Sequence, residues 1–314
     1  MAIDNNAMIR TPNYGSGVGI SSEFGTLIPP GGRLAAFVRA TSVSGDDKYK
    51  GYPIYTTLNA GLAQCRSGQP DVVIVLPGHT ENFSVANSLS NLVAGTRIVG
   101  LGHGTNRPTF TWTLIGATVT MNVADVCITN CILNLAGAAA AVTAPITVSA
   151  AGNCIAACQI QFCVDNTQLS TVGITTTAGA TDFTIDGCEC HAGTSTGTGV
   201  TTHVRVVGTT RFKMYDTVIN GSTSTVSVGV VQFLTTASLN VDIRRCHFRN
   251  NKAASSHAFT GMTGCTGAVI DCSVGVLDNL TTVFGNTLGS LQTFRCYTAN
   301  ELAENGILST VVSG

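Results

Sequence analysis

The stretches CITNCIL (Cys127–Leu133), CIAACQI (Cys154–Ile160) and TIDGCEC (Thr184–Cys190) share one pattern. In it, an apolar residue is followed by two variable residues, a cysteine, one further residue and a second apolar or cysteine residue. The pattern returns with its central position at Cys131, Cys158, Cys188, Thr217, Cys246, Cys272 and Cys296. Subtracting successive residue numbers gives spacings of 27, 30, 29, 29, 26 and 24 residues. A repeat of this length is typical of a solenoid.

The spacing within each repeat favours short strands joined by a sharp turn. The chain enters the core at the first apolar position, bends, and enters it again at the second. Stacked coils place equivalent side chains about 4.8 Å apart, so a column of small cysteines fills one inner edge without voids. We therefore predict an all-β parallel β-helix in which the seven central positions form a structural core ladder.

The residue before each central position is predicted to face solvent. In the last four repeats these residues alternate in charge, which predicts an exterior charge ladder of Asp216, Arg245, Asp271 and Arg295. Asn130 and Gly187 occupy the same position earlier and suit a turn residue with positive φ. We also expect Lys213 to pair with Asp242 in the neighbouring coil.

The two ends of the chain differ from the repeat. Ile54, Leu58, Leu62 and Cys65 lie near helical spacing, which predicts an amphipathic helix that caps the open first coil. Residues 1–52 are irregular and rich in Gly and Pro, and we predict that they form a docking arm. The predicted units are therefore the arm (1–52), the capping helix with the β-helix (53–298) and a C-terminal closing segment (299–314).

Composition excludes several classes of partner. The net charge is -1, only 11% of residues are charged, and no dense run of Lys and Arg occurs, so we expect neither nucleic acid nor an anionic membrane as partner. No stretch reaches the roughly 18 apolar residues of a membrane span. Met1 to Gly25 lacks the basic segment and apolar core of a signal peptide, so we expect synthesis in a cytoplasm.

Two clusters of charged and histidine residues are the main candidates for a catalytic site. They are Asp182, Asp186, Glu189 and His191, and, two coils later, Asp242, Arg244, Arg245 and His247. Cleavage of a polysaccharide needs two facing carboxylates, or an acidic calcium site with a nearby base. The alternative is that these residues are solvated turns and ladder pairs, and on that interpretation the chain has no catalytic residue.

Metal binding is suggested by cysteine spacing. Cys127 with Cys131 and Cys154 with Cys158 are four residues apart, and CECH ends at His191. A structural zinc site joins two such pairs around one centre, whereas the repeat already explains the second cysteine of each pair as core. We predict no metal and no cofactor. Buried free thiols are the default expectation, and disulfides between stacked coils in an oxidising medium are the alternative.

Two Gly-His corners and one glycine-rich segment complete the candidates. His79 and Glu81 follow the strand in VVIVLPGHTENFSV, and His103 lies in GLGHGTNRP one coil later. The Pro and Gly residues around them are turn formers, so we interpret both corners as architectural. The GSGVG segment near Gly15 lacks the strand, helix and following Lys of a phosphate-binding loop.

A capping helix, the VIVLPG strand and corner, and repeated I-x-x-C-x-I coils together resemble right-handed parallel β-helix proteins of the pectin-lyase-like superfamily. The resemblance covers about Pro53 to Thr298. This fold serves polysaccharide lyases and hydrolases, bacteriophage tailspikes and non-enzymatic virion proteins. No catalytic motif of the family matches this sequence. The opening MAIDNNAMIRTPNYG and the Thr/Gly/Ala-rich texture resemble bacteriophage structural proteins.

The resemblance implies a function in the virion. We expect a non-enzymatic structural protein, a homotrimer that decorates or cements the capsid and contacts the major capsid protein or other virion proteins. The alternative is a tailspike-like β-helix that binds or depolymerises a polysaccharide, with a surface glycan as its partner.

Overall fold

A computed structural model describes residues 27–40, 52–135, 144–162, 170–192, 200–221, 229–234, 236–250, 257–261, 264–276, 290–300 and 303–307. Within these ranges the regular secondary structure consists almost entirely of β-strands, with one short α-helix, α1 (Leu58–Leu62), and a 3-10 turn at Gly104–Asn106. Among the described residues, no helix has the length and apolarity to cross a membrane.

The strands are short and follow one another at regular intervals. The first half of the chain contains β1 (Leu34–Val38), β2 (Ile54–Tyr55), β3 (Val72–Val75), β4 (Thr80–Phe83), β5 (Arg97–Gly100), β6 (Thr109–Trp112), β7 (Val119–Met121), β8 (Cys127–Thr129), β9 (Ile132–Asn134), β10 (Ile146–Val148), β11 (Cys154–Ala156) and β12 (Gln159–Phe162). The second half contains β13 (Ser170–Thr176), β14 (Thr184–Asp186), β15 (Glu189–Ala192), β16 (Val200–Val207), β17 (Lys213–Tyr215), β18 (Val218–Asn220), β19 (Gly229–Leu234), β20 (Val241–Arg244), β21 (His247–Asn250), β22 (Phe259–Thr260), β23 (Thr266–Ile270), β24 (Ser273–Val276), β25 (Ser290–Phe294), β26 (Tyr297–Asn300) and β27 (Ala303–Ile307).

Three sheets run along the solenoid. Sheet 1 has the order β2-β1-β3-β5-β8-β11-β14-β17-β20-β23-β25, sheet 2 the order β27-β26-β24-β21-β18-β15-β12-β9-β6-β4, and sheet 3 the order β22-β19-β16-β13-β10-β7. A typical coil passes from sheet 1 to sheet 2 to sheet 3, and each strand pairs in parallel with its equivalent in the next coil. The terminal β27 pairs antiparallel with β26. The predicted parallel β-helix is confirmed.

Alternating side chains build the core. In six successive strands of sheet 1 one inward-pointing residue of each strand occupies the same register position, and these residues are at most 5% exposed: Ile128, Ile155, Ile185, Met214, Ile243 and Val269. Their Cα atoms are register partners from coil to coil. Because the side-chain period of a strand is two, the flanking residues necessarily point outward.

A single residue makes the corner between sheet 1 and sheet 2. In seven successive coils this residue has a positive φ between 46° and 57°: Asn130, Ala157, Gly187, Asp216, Arg245, Asp271 and Arg295. A left-handed conformation costs roughly 1–2 kcal/mol for a residue with a Cβ atom. Residue type therefore predicts the positive φ only at Asn130 and Gly187. At the other five corners we attribute the left-handed conformation to stacking against the neighbouring coils.

The N-terminal boundary differs from the prediction. Leu34–Val38 forms β1, a strand of sheet 1 that pairs with β3 and β2 and is at most 8% exposed. This part of the predicted arm therefore belongs to the β-helix. The sequence pattern does not predict this strand, because the segments on either side of it, IPPGG and SGDD, consist mostly of turn-forming residues. Residues 1–26 and 41–51 of the predicted arm lie outside the described residues.

The capping helix is shorter than predicted. Ile54 lies in β2, and α1 begins after Thr57, whose hydroxyl accepts a hydrogen bond from the Ala60 amide at 3.3 Å. Leu58 and Leu62 are buried in the core cluster. The helix spans only five residues, because Ile54 pairs with Phe37 of β1 and so belongs to a β-strand instead of the helix.

Candidate functional site

The seven central positions of the repeat lie inside the solenoid. Each is at most 2% exposed: Cys131, Cys158, Cys188, Thr217, Cys246, Cys272 and Cys296. Three of them, Cys158, Thr217 and Cys272, also accept hydrogen bonds from backbone amides, which the sequence pattern did not predict. The amide of Cys131 donates to Sγ of Cys158 at 3.5 Å, and the amide of Cys246 donates to Sγ of Cys272 at 3.4 Å. The column therefore pairs corner amides that are buried away from water.

Thr217 performs the same task with an oxygen. Its Oγ1 accepts the amide of Cys188 at 3.3 Å and donates to the carbonyl of Tyr215 at 2.8 Å. A residue at this position must be small and must offer an acceptor. Cysteine and threonine both meet these two requirements, which explains why Thr217 interrupts a column of cysteines.

We expect Thr217→Val to lower the free energy of unfolding by about 1–3 kcal/mol, because it leaves the buried Cys188 amide without an acceptor. Thr217→Cys is the matched control, since sulfur accepts the equivalent amide in neighbouring coils. Urea unfolding followed by circular dichroism measures both variants. Equal stabilities for valine and cysteine at this position would contradict the acceptor role.

The charged corner residues pair between adjacent coils. Arg245 Nε lies 2.7 Å from Asp216 Oδ1, and Arg295 Nε lies 2.6 Å from Asp271 Oδ1. All four side chains are substantially exposed, so these pairs mark the register of the coils more than they stabilise the fold. The hydrogen bond from Arg245 lowers the pKa of Asp216.

The expected pairing of Lys213 with Asp242 is wrong. Lys213 Nζ lies 3.3 Å from Asp182 Oδ1, in the preceding coil, where Arg211 also binds the same carboxylate. Asp242 instead accepts from the Tyr215 hydroxyl at 2.8 Å and from Arg244 Nε at 2.6 Å. Backbone register aligns Lys213 with Asp242, but these nearer partners occupy both side chains.

The two polar candidate groups are divided between different sheets. Asp186 lies at the end of a sheet 1 strand and is exposed, whereas Glu189 pairs with His191 on sheet 2 at 3.0 Å. Two coils later, His247 Nδ1 lies 2.6 Å from the Ser273 hydroxyl on sheet 2. The structure therefore does not bring these residues into one cleft.

The His79 corner supports the capping helix. The His79 side chain is fully buried, its Nε2 lies 3.1 Å from Glu81 Oε2, and its ring packs beside Phe110. The same Glu81 oxygen accepts the amide of Leu58 at 2.7 Å, at the start of α1. His103 is exposed and precedes the 3-10 turn. Glu81 thus links the corner to the helix.

The cysteine pairs with metal-like spacing do not converge. Cys127 and Cys154 point outward from sheet 1 and are partly exposed, whereas Cys131 and Cys158 point inward and are buried. Within the described part of the chain, no group of three or more His, Cys, Asp or Glu side chains is placed to hold a metal ion. All eleven described cysteines are free thiols.

A shallow groove lies on the outer face of sheet 1, with a volume of about 470 Å³. It is lined by five polar residues together with Val241, Gly267 and Ala268; the polar residues are Asn240, Asp242, Arg244, Thr266 and Gln292. Gly267 has a φ of 131°, and an added Cβ would lie 2.0 Å from the Val241 carbonyl oxygen, so the backbone at this point of the groove requires glycine. The arrangement offers hydrogen-bonding groups without a buried pocket.

Comparison with known proteins gives only distant structural likeness. No protein-family model matches the chain, and no curated protein matches it. An alginate lyase from Paenibacillus sp. str. FPU-7 has a similar solved structure, with 12% sequence identity, a TM-score of 0.26, and coverage of 82% of this chain and 97% of the lyase. That likeness is too weak to transfer an activity or a substrate.

Proposed function

We propose that the chain is a non-enzymatic structural protein of a bacteriophage particle, a homotrimeric β-helix that decorates or cements the capsid. The proposal rests on the ion pairs of the outer surface, in which aspartate side chains bind arginine side chains of adjacent coils. Asp182, Asp216 and Asp271 each hold an arginine of the following coil. A surface of this kind keeps the coils in register.

The electrostatics of these carboxylates do not suit acid catalysis. Hydrogen bonds from Arg211 lower the pKa of Asp182 to about 2, and Arg245 lowers the pKa of Asp216. A general acid in a glycosidase needs a raised pKa and a second carboxyl group facing the bond to be broken. These side chains remain ionised at neutral pH and are held by their partners.

An apolar corner supports self-association. Val85, Leu114 and Ile115 are 61%, 55% and 56% exposed. Val85 and Leu114 each follow by two residues the register partners Phe83 and Trp112, so they occupy equivalent positions in adjacent coils. Exposed aliphatic side chains clustered on a soluble protein mark a contact surface, which we assign to a second copy of this chain.

The composition of the particle is the direct test. Quantitative peptide mass spectrometry of purified particles gives the copy number of this protein relative to the major capsid protein. Copies in the hundreds support capsid decoration, and a few to a few tens indicate a spike or fibre. Absence from the particles would overturn the virion proposal.

We expect Leu114→Asp combined with Ile115→Asp to convert the trimer to monomer in solution, because it buries charge at the proposed contact. Light scattering coupled to size-exclusion chromatography measures the mass. Thr177→Asp combined with Ala178→Asp is the control, since both residues are exposed at another corner. A monomeric wild-type protein, or a trimer that survives the first double variant, contradicts the contact.

The docking arm is tested by a deletion that spares β1. Removing residues 1–26 leaves Leu34–Val38 and its pairing with β3 intact. We expect loss of attachment to particles with an unchanged melting temperature, measured by co-sedimentation and circular dichroism. Retained attachment would show that the predicted arm does not dock the protein.

The groove on sheet 1 favours a second candidate, a tailspike-like protein that binds a surface polysaccharide. Both oxygens of Asp242 already accept hydrogen bonds, from Tyr215 and Arg244, which favours binding over cleavage. Gln292→Ala and Asn240→Ala test this candidate by glycan-array binding. Binding that both variants lose supports it, and absence of glycan binding by the wild-type protein excludes it.

A further inference from the structure

Two cysteines stand side by side on the outer face of the solenoid. Cys127 in β8 and Cys154 in β11 are Cα register partners in adjacent parallel strands of sheet 1. Neighbouring strands lie about 4.8 Å apart, and a disulfide needs Cα atoms roughly 4.4–6.8 Å apart. Both side chains point to the same side, because the buried Ile128 and Ile155 follow them in the two strands.

The accessibility of this pair sets it apart from the core ladder. Cys127 and Cys154 are partly exposed, whereas the ladder cysteines are at most 2% exposed. A small reagent can therefore reach the outer pair in the folded protein. Access and a neighbouring thiol are the two requirements for thiol–disulfide exchange.

The surroundings activate one thiol of the pair. The hydrogen bond from Cys154 lowers the pKa of Cys127 to about 7, with further lowering from the Thr129 hydroxyl and the Arg97 charge. Thr129 Oγ1 lies 3.5 Å from Cys127 Sγ, and Arg97 is the register partner of Cys127 in the preceding coil. The same hydrogen bond raises the pKa of Cys154. Because the Thr129 hydroxyl and Arg97 lie beside Cys127, we assign Cys127 as the attacking thiolate and Cys154 as the resolving thiol.

We propose that Cys127 and Cys154 form an oxidative modification site, where a low-molecular-weight disulfide converts the two thiols to a disulfide between adjacent coils. The Cys127 thiolate attacks one sulfur of the oxidant, and the oxidant S–S bond breaks to release one thiol. The sulfur of Cys154, losing its proton, then attacks Cys127 Sγ and releases the second thiol. The protein loses two hydrogens, and the oxidant is reduced to two thiols.

The bond joins β8 to β11 and closes a loop of one coil. A crosslink of this kind restricts the unfolded chain, so the oxidised protein is expected to melt at a higher temperature than the reduced protein. The site is independent of the proposed virion function, since it rests only on two neighbouring thiols and their accessibility.

The test is oxidation of the reduced, folded protein with oxidised glutathione, followed by alkylation and mass spectrometry. Chymotrypsin can cleave after Leu133 or Leu135, so the Cys127 and Cys154 segments separate unless a disulfide joins them. We expect a linked peptide pair that dithiothreitol separates, and a higher melting temperature that reverses on reduction. Alkylation of both thiols after oxidant treatment overturns the proposal.

Variants separate the two steps. Cys154→Ser is expected to stop at a mixed disulfide, so that it gains one glutathionyl group at Cys127 and no crosslink. Cys127→Ser is expected to form no crosslink and to react more slowly. Cys65→Ser is the control, because Cys65 is partly exposed and burial raises its pKa to about 11. A crosslink that persists in Cys127→Ser contradicts the assigned pair.

Discussion

Phe162→Ala is expected to lower the free energy of unfolding by about 3–5 kcal/mol, the usual range for removing a buried aromatic ring. The Phe162 side chain is fully buried at the end of β12. Its ring packs edge-on against His203 with centroids 4.9 Å apart. It also covers Gly173 in β13, where an added Cβ would lie 1.7 Å from the ring atom Cε1. The ring therefore fills the space between two neighbouring coils.

A substitution at Gly173, which the Phe162 ring covers, provides a second test of this packing. Gly173→Val alone is expected to destabilise the fold by about 1–3 kcal/mol or more, because the ring cannot move aside in a packed core. Combined with Phe162→Ala, the valine enters the vacated space, so the double variant should lose clearly less than the sum of the two single losses. Additive losses would show that the two residues do not share this space.

Chemical denaturation at neutral pH, followed by circular dichroism, measures all three variants. Phe294→Ala is the matched control, because Phe294 is 43% exposed on the outer face and leaves no cavity when truncated. A loss at Phe162 no larger than the loss at Phe294 would contradict the packing described for this corner.

Acidification is expected to destabilise the fold through His203. This side chain is fully buried in β16, and neither ring nitrogen has a hydrogen-bond partner among the described residues. Burial lowers its pKa to about 3 from the ordinary 6.5. Between about pH 6.5 and pH 3, the His203 side chain is protonated in the unfolded chain but stays neutral in the folded protein. Stability is therefore lost as the pH falls from 6.5 towards 3 and changes no further through this residue below that pH.

The size of the effect follows from the pKa difference. A shift from 6.5 to about 3 corresponds to roughly 4–5 kcal/mol of stability, which is lost in full only when the pH falls below about 3. His203→Leu removes this dependence. It should match or exceed wild-type stability at neutral pH, because it removes two buried nitrogens that have no hydrogen-bond partner in the described part of the chain.

Urea unfolding at pH 8, 5 and 4 compares the two proteins. The informative quantity is the difference between wild type and variant, since carboxylates titrate in both. His103→Leu, which removes an exposed histidine side chain, is the matched control. An unchanged difference between wild type and His203→Leu from pH 8 to pH 4 would exclude His203 as the source.

Sequence reasoning identified the parts of the molecule that repeat. The cysteine spacing predicted the parallel β-helix because every coil must return its apolar residues to one core, and this requirement is visible in a single chain. The charge alternation from Asp216 to Arg295 was visible for the same reason. The Leu34–Val38 strand was missed because it occurs once, between loop-like segments, without a periodic partner.

Contacts between coils decided the features of the molecule that the repeat does not predict. Arg245 and Ala157 adopt a left-handed turn that neither residue prefers, and in that turn their amides donate to carbonyl oxygens of the next coil, Ile270 and Asp186. The acceptor role of Thr217 and the meeting of Cys127 with Cys154 each depend on a residue about one coil away in sequence, and His203 packs against Phe162 of the preceding coil. The sequence by itself determined the fold class and the inner column, since both follow from apolar periodicity along one chain. Only the tertiary structure decided which polar groups meet, because that depends on the lateral register of coils about 4.8 Å apart.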